Sequence, residues 1–139
     1  SDVYKRQGYE FKKIKEAASG GEMSRIMLAI KSIMAKYKKL PSIIFDEIDT
    51  GVSGEISKKM GFIMKDLGEK IQTFSITHLP QIAAMGESHF KIYKSDVDGI
   101  TKTMISRLNE NDRIIEIAKM LEGNNASKSA YTHAKQLLN

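Results

Sequence analysis

Residues 42–49, Ser-Ile-Ile-Phe-Asp-Glu-Ile-Asp, decide how this chain is read. Ser42–Phe45 is a short apolar run, and Asp46 with Glu47 closes it. This is the pattern of a buried strand that delivers its acids at its carboxyl end. Leu40-Pro41 breaks what comes before, because a residue preceding proline is pushed away from helical dihedrals. Thr50–Gly54 reads as a glycine-containing loop.

Upstream, from Glu22, apolar residues recur at helical spacing: Met23, Ile26, Met27, Ile30, Ile33, Met34 and Tyr37 form one stripe of a helix of about four turns. Ser19, Gly20 and Gly21 stand at its start. Tyr9–Lys15 reads as a short strand or an irregular lead-in. Residues 1–7 look like a non-native, adapter-derived leader, which puts the start of the domain near Gly8 and one lobe over residues 8–139. Without the leader the charge is 20 minus 16, or +4.

Downstream, Ile56, Met60, Ile63, Met64 and Leu67 mark the inward face of a second helix ending near Gly68. Ile71–Thr77, rich in Ile, Thr and Phe, is the next expected strand, with His78 at its end. Pro80–Met85 suits a short helix stopped by Gly86. Phe90–Lys94 and Ile100–Leu108 form a hairpin across Asp98-Gly99. Helices over Asp112–Leu121 and Ser127–Leu138 follow, separated by Gly123-Asn124-Asn125. Strands alternating with helices imply an α/β fold with a mostly parallel, doubly wound sheet. Ligands of such sheets bind beyond the carboxyl ends of the strands, where Asp46, Glu47 and His78 fall.

The bulk numbers fit one globular domain: 139 residues, 41% hydrophobic and 28% charged. Every uninterrupted apolar run is far short of the roughly 18 residues that span a bilayer. No apolar secretory segment is visible, and a cytoplasmic protein is expected. The absence of cysteine excludes disulfides and thiolate metal sites. A net charge of +5, from 22 basic and 17 acidic residues, is weak evidence for a nucleic-acid partner, because lysine-rich solvated faces are the commoner source of such a balance. Lys12, Lys13, Lys15, Lys36, Lys38 and Lys39 are the basic candidates. The eight methionines lie on helical stripes and read as core filling.

The candidate chemistry is that of phosphate. Asp46 at a strand end can hold Mg²⁺ directly or through water. Glu47 beside it can act as a general base or orient a water. Read alone, the pair can equally start a loop. The Ser19-Gly20-Gly21 backbone at a helix start favours an anion, or is simply a cap. His78 can donate to a terminal phosphate oxygen, although a lone histidine at a strand end is often structural. His89 and His133 have no partner at metal-ligand spacing. Nowhere does a G-x-x-x-x-G-K-[ST] phosphate loop occur, so half of an ATPase site is present and half is expected upstream.

The order SGGE, apolar-DE, DTG, S-x-T-H resembles the C-terminal half of an ATP-binding-cassette ATPase. Ala18–Glu22 is similar to the cassette signature, with Ala and Glu where transporters usually carry Leu and Gln. Asp49-Thr50-Gly51 resembles the D-loop. More specifically, EAASGGEMSRIMLAIKSI (16–33), IIFDEIDTGVSGE (43–55), SITHLPQIAAMGESHFKIYK (75–94) and DRIIEIAKMLEG (112–123) resemble the C-terminal end of the RecN family of bacterial DNA repair proteins, which belongs with the SMC and Rad50-like ATPases.

The resemblance implies a head built from both chain ends, with a coiled coil between them and two heads sandwiching ATP and Mg²⁺. Ser19, Gly20, Gly21 and Glu22 would then meet the nucleotide of the opposite head. Asp46, Glu47 and His78 would act on their own, with Gln81 bordering it and Asp49 at the head-to-head seam. Arg25 would link that contact to the arms or DNA, or simply face solvent. DNA, a second head, the upstream half of the same protein and the recombinase machinery are the implied partners, with no membrane. The location is cytoplasmic, at the nucleoid. The chain by itself is expected to be inactive. A structural DNA clamp and a transporter nucleotide-binding subunit are the alternatives.

Overall fold

The computed structural model describes Ser19–Asn139. The expected leader, the Tyr9–Lys15 element, Ala18, Lys12, Lys13 and Lys15 lie outside the described residues.

Helix α1 spans Gly20–Tyr37 and opens on a capping box. The Ser19 hydroxyl accepts from the Glu22 N–H, and the Glu22 carboxylate accepts from the Ser19 N–H at 2.8 Å. Its buried residues are Ser24, Leu28 and Ala35. The expected core stripe is therefore displaced: Met27, Ile30, Ile33, Met34 and Tyr37 are exposed. Periodicity reports that a helix has an apolar face, and not which neighbour covers it. Here the small residues make the close approach to the rest of the chain.

Strands β1 (Ser42–Asp46) and β2 (Gln72–Ile76) pair in parallel, from Ser42 opposite Gln72 to Asp46 opposite Ile76. Helix α2 (Gly54–Gly68) crosses between them. Its Met60, Met64 and Leu67 pack with Leu28, Ala35, Phe45, Ile48, Val52, Ile71 and Ile82 into one core. Ile56 and Ile63, expected inward, are exposed, while Ser57 and Gly61 are buried. A side chain on Gly61 would come within 3.0 Å of Met85 Cγ.

The strand pair is covered on one face among the described residues. Ile44 and Phe74 are register partners and so share a face, and they remain 59% and 50% exposed. Phe45, on the alternate face, is fully buried. The parallel pairing is as expected, whereas burial of β1 on both faces is not, because the helices described here lie on the Phe45 side.

Helix α3 (Pro80–Ala83) is shorter than Pro80–Met85 but begins where proline favours it. It joins two cores, since Ile82 belongs to the first and the adjoining Ala84 to a second with Ile117, Ala118, Ala130 and Ala134. The second core lies between α4 (Glu110–Glu122), capped by Asn109, and α5 (Lys128–Leu138), capped by Ser127. Gly123, at φ 86°, ends α4.

Between α3 and α4 runs an antiparallel hairpin, β3 (Phe90–Val97) and β4 (Ile100–Arg107). Asp98 and Gly99 both take positive φ, 54° and 75°, as a two-residue turn matched to strand twist requires. The hairpin is tied at its base. Lys91 Nζ pairs with Glu116 of α4, and Arg113 of α4 donates to the Gly86 carbonyl at 2.6 Å and the Glu87 carbonyl at 3.3 Å. Beyond that base, Phe90, Ile92 and Ile105 on one face and Tyr93 and Met104 on the other are exposed.

Candidate functional site

The last register pair, Asp46 and Ile76, brings Glu47 and the Thr77-His78 segment out at the same edge of the sheet. Asp46, Glu47 and His78 are all exposed there. Glu47 has φ 51°, a left-handed conformation that costs a non-glycine residue on the order of 1–2 kcal/mol. That rotation ends the strict alternation of the strand, so Glu47 is freed from the face opposite Asp46. Thr50 holds the turn, its hydroxyl donating to the Glu47 carbonyl at 3.0 Å.

Asp49 is 1% exposed within its own chain. Its Oδ2 accepts from the Thr77 hydroxyl, and from the His78 N–H at 3.2 Å. The His78 Nδ1 lies 3.5 Å from the same oxygen. A buried carboxylate needs such donors, because desolvating an unpaired charge is very costly. Thr77, which the sequence reading treated only as a strand former, is therefore the residue that links the Asp49 loop to the His78 segment.

The helix start is sewn to the same loop. Ser24 Oγ lies 3.0 Å from the Gly20 carbonyl and 2.9 Å from the Thr50 carbonyl, within reach of both with its one proton. Gly21 and Gly51 meet backbone to backbone, and a side chain on Gly21 would fall 2.4 Å from the Gly51 oxygen. Ser19, Gly20, Gly21, Asp46, Glu47, Asp49 and His78 thus belong to one connected region at one end of the sheet. Ser24 gave no signal in the sequence beyond its place on a helix.

The capping box occupies the N–H groups of Ser19 and Glu22 with partners of their own. Gly20 and Gly21, as the first two helical residues, keep N–H groups that the helix cannot satisfy. Hydrogen bonds from Ser19 hold the Glu22 carboxyl below its ordinary value, so an anionic Glu22 sits beside this helix start in the role of a cap.

Among the described residues no cluster of three or more acidic or histidine side chains could cage a metal ion. Mg²⁺ keeps several waters and uses one or two carboxylates with phosphate oxygens, so a single exposed carboxylate at Asp46 fits that ion and does not fit an all-protein site. Gln81, in the first turn of α3, is half-buried, and Arg25 is exposed on α1. His133 is exposed. His89, half-buried, has its Nδ1 buried without a partner among the described residues. Burial and the nearby Arg113 guanidinium hold its pKa below the ordinary histidine value. None of the described helices is long and apolar enough to cross a membrane.

The chain is 42% identical over 131 residues to the DNA repair protein RecN of Bacillus subtilis, covering 94% of this chain and 23% of that protein. It is 42% identical over 125 residues to RecN of Xylella fastidiosa, covering 90% and 22%. This chain is RecN-like. It is also 40% identical over 131 residues to RecN of Vibrio cholerae, covering 94% of this chain and 24% of that protein.

The RecN-like chain thus spans under a quarter of the length of these relatives. No protein-family model matches it. Its fold is that of part of an SMC ATPase head. One solved neighbour, from work on ATP-driven dimerization and DNA-stimulated activation of SMC ATPases, superposes with a TM-score of 0.55 at 29% identity, covering 78% of this chain and 66% of that one. An SMC head bound to the C-terminal winged-helix domain of ScpA gives 0.57 at 30% identity, covering 76% and 31%.

Proposed function

We propose that the RecN-like chain is the C-terminal lobe of an ATP-hydrolysing, SMC-like head that works in DNA double-strand break repair and recombination. The observation that supports this best is the convergence of Asp46, Glu47 and His78 on one sheet edge, bound through Asp49–Gly51 to the Ser19-Gly20-Gly21 helix start. That is a place for a terminal phosphoryl group, with a carboxylate for a divalent cation, a second carboxylate for a water and an imidazole at the rim. In this reading Ser19, Gly20 and Gly21 contact the nucleotide of a second head. Glu22 caps that helix start, and Gln81 borders the nucleotide held in cis.

The division of labour follows from the chemistry of each group. Gly20 and Gly21 N–H groups orient phosphate oxygens, and Asp46 holds Mg²⁺. The ion supplies charge neutralisation at the phosphates when bound. Glu47 positions and deprotonates the attacking water. A nucleotide that binds closed heads better than open ones stabilises closure, and its hydrolysis removes the preference. DNA, a second head and the upstream part of the same protein are the partners, recombination factors meet the assembled protein, and the setting is the cytoplasmic nucleoid.

The decisive experiment is genetic and biochemical together. Complete protein carrying Glu47→Gln is expressed in cells lacking the gene and challenged with double-strand breaks, while its ATP turnover is measured. Loss of both supports the reading. Survival with turnover abolished would assign the protein to DNA tethering alone.

A further inference from the structure

We propose that Asp49 is a positioning residue that fixes the His78 ring, drawing the proton onto Nδ1 and presenting Nε2 to the open edge of the site. The proposal rests on the reading that this edge receives a phosphoryl group, but its geometry stands apart from that reading. The Asp49 side chain is 2% exposed and the His78 side chain 73% exposed. A buried carboxylate and an exposed imidazole thus share one contact, Oδ2 to Nδ1, at 3.5 Å.

Two hydrogen bonds converge on that single oxygen, from the Thr77 hydroxyl and the His78 N–H, and the His78 ring nitrogen lies 3.5 Å from it. Thr77 Oγ1 in turn accepts from the Leu79 N–H at 3.0 Å, which leaves its one proton for Asp49. The carboxylate is therefore held from two sides by the segment that carries His78, and its orientation is not free. A carboxylate oxygen accepts, so a proton on the ring nitrogen facing it is the arrangement this contact favours. The nitrogen a histidine uses outward is set by the hydrogen bond its other nitrogen makes.

The consequence is specific. A neutral His78 offers Nε2 as an acceptor, and only the imidazolium offers an Nε2–H donor to an anionic oxygen. Asp49 supplies the counter-charge for that second state. An Nδ1–H ring held this way turns Nε2 toward a water or hydroxyl proton, and a doubly protonated ring would turn an Nε2–H toward a phosphoryl oxygen.

The test is a long-range ¹H–¹⁵N correlation spectrum of the ¹⁵N-labelled chain at about pH 9, well above the ordinary histidine range, with no nucleotide present. The expected result is an Nδ1-protonated His78. Asp49→Ala should move the tautomer ratio toward Nε2–H by about tenfold, and Thr77→Val, which leaves the carboxylate in place, by a smaller factor. An Nε2-protonated ring in the unsubstituted chain overturns the proposal without any need for the variants to fold. So does a ratio unchanged in folded Asp49→Ala. Because no ATP is involved, either failure is separate from failure of the ATPase reading.

Discussion

A methyl group added to Gly21 would lie 2.4 Å from the carbonyl oxygen of Gly51, and one added to Gly51 would lie 2.9 Å from the Gly21 nitrogen. Both atoms are backbone, so neither can swing away. The start of α1 and the loop after β1 touch at a point where only glycine fits. Gly21→Ala is expected to destabilise the fold by about 1–3 kcal/mol through forced separation, despite alanine's better helix propensity. Gly20→Ala, whose added carbon would meet only the Thr50 oxygen at 3.9 Å, should be near neutral. Urea unfolding of the two variants side by side checks the contrast.

In the proposed reading, turnover depends on the exposed end of β1. In the complete protein Glu47→Gln should lower kcat by about 10²- to 10⁴-fold while leaving ATP binding intact. Equilibrium nucleotide binding measured beside steady-state hydrolysis separates the two. A variant that hydrolyses at the unsubstituted rate would remove Glu47 from the chemistry.

This chain alone should show no ATP turnover above background. It carries no phosphate-gripping G-x-x-x-x-G-K-[ST] loop, and its glycine helix start faces, in the proposed arrangement, the nucleotide of another head. A coupled assay with the purified chain at high concentration is sufficient, and magnesium-dependent turnover would contradict the expectation.

Acid should weaken the packing at the base of the hairpin. Burial is the main cause that holds His89 below its ordinary value, with Arg113 and Lys91 adding to it and Glu116 opposing. The folded state therefore binds this proton less readily than the unfolded chain. The associated stability is complete above about pH 6.5 and is lost as pH falls through the depressed folded value. Urea midpoints should drop between about pH 7.5 and about pH 5.5, and His89→Gln should flatten that drop.

The hairpin predicts self-association. Ile92 and Ile105 are register partners, 61% and 66% exposed, on a ribbon that is two-stranded among the described residues, a form that is marginal alone and prone to edge pairing. Ile105→Lys should shift the isolated chain toward monomer in sedimentation velocity without loss of helical signal.

Much of this was legible from residue order. The acids at the end of an apolar strand, the proline-started helix, the Asp98-Gly99 turn and the capped C-terminal helices all follow local rules, and the structure contains each. Burial was less legible, because it depends on neighbours. The Met27–Ile30–Met34 stripe has the right period and is exposed, since Ser24 and Ala35 make the closer contact. The burial of Asp49 was illegible for a related reason. It depends on donors from Thr77 and His78, 28 and 29 residues away in the chain.

The left-handed backbone of Glu47 carries an evolutionary consequence. Glycine or asparagine at position 47 would relax that conformation, so wherever the carboxylate is not needed either residue is the more stable choice there. Descendants in which this position has decayed should be found among proteins that have kept the scaffold and abandoned the reaction.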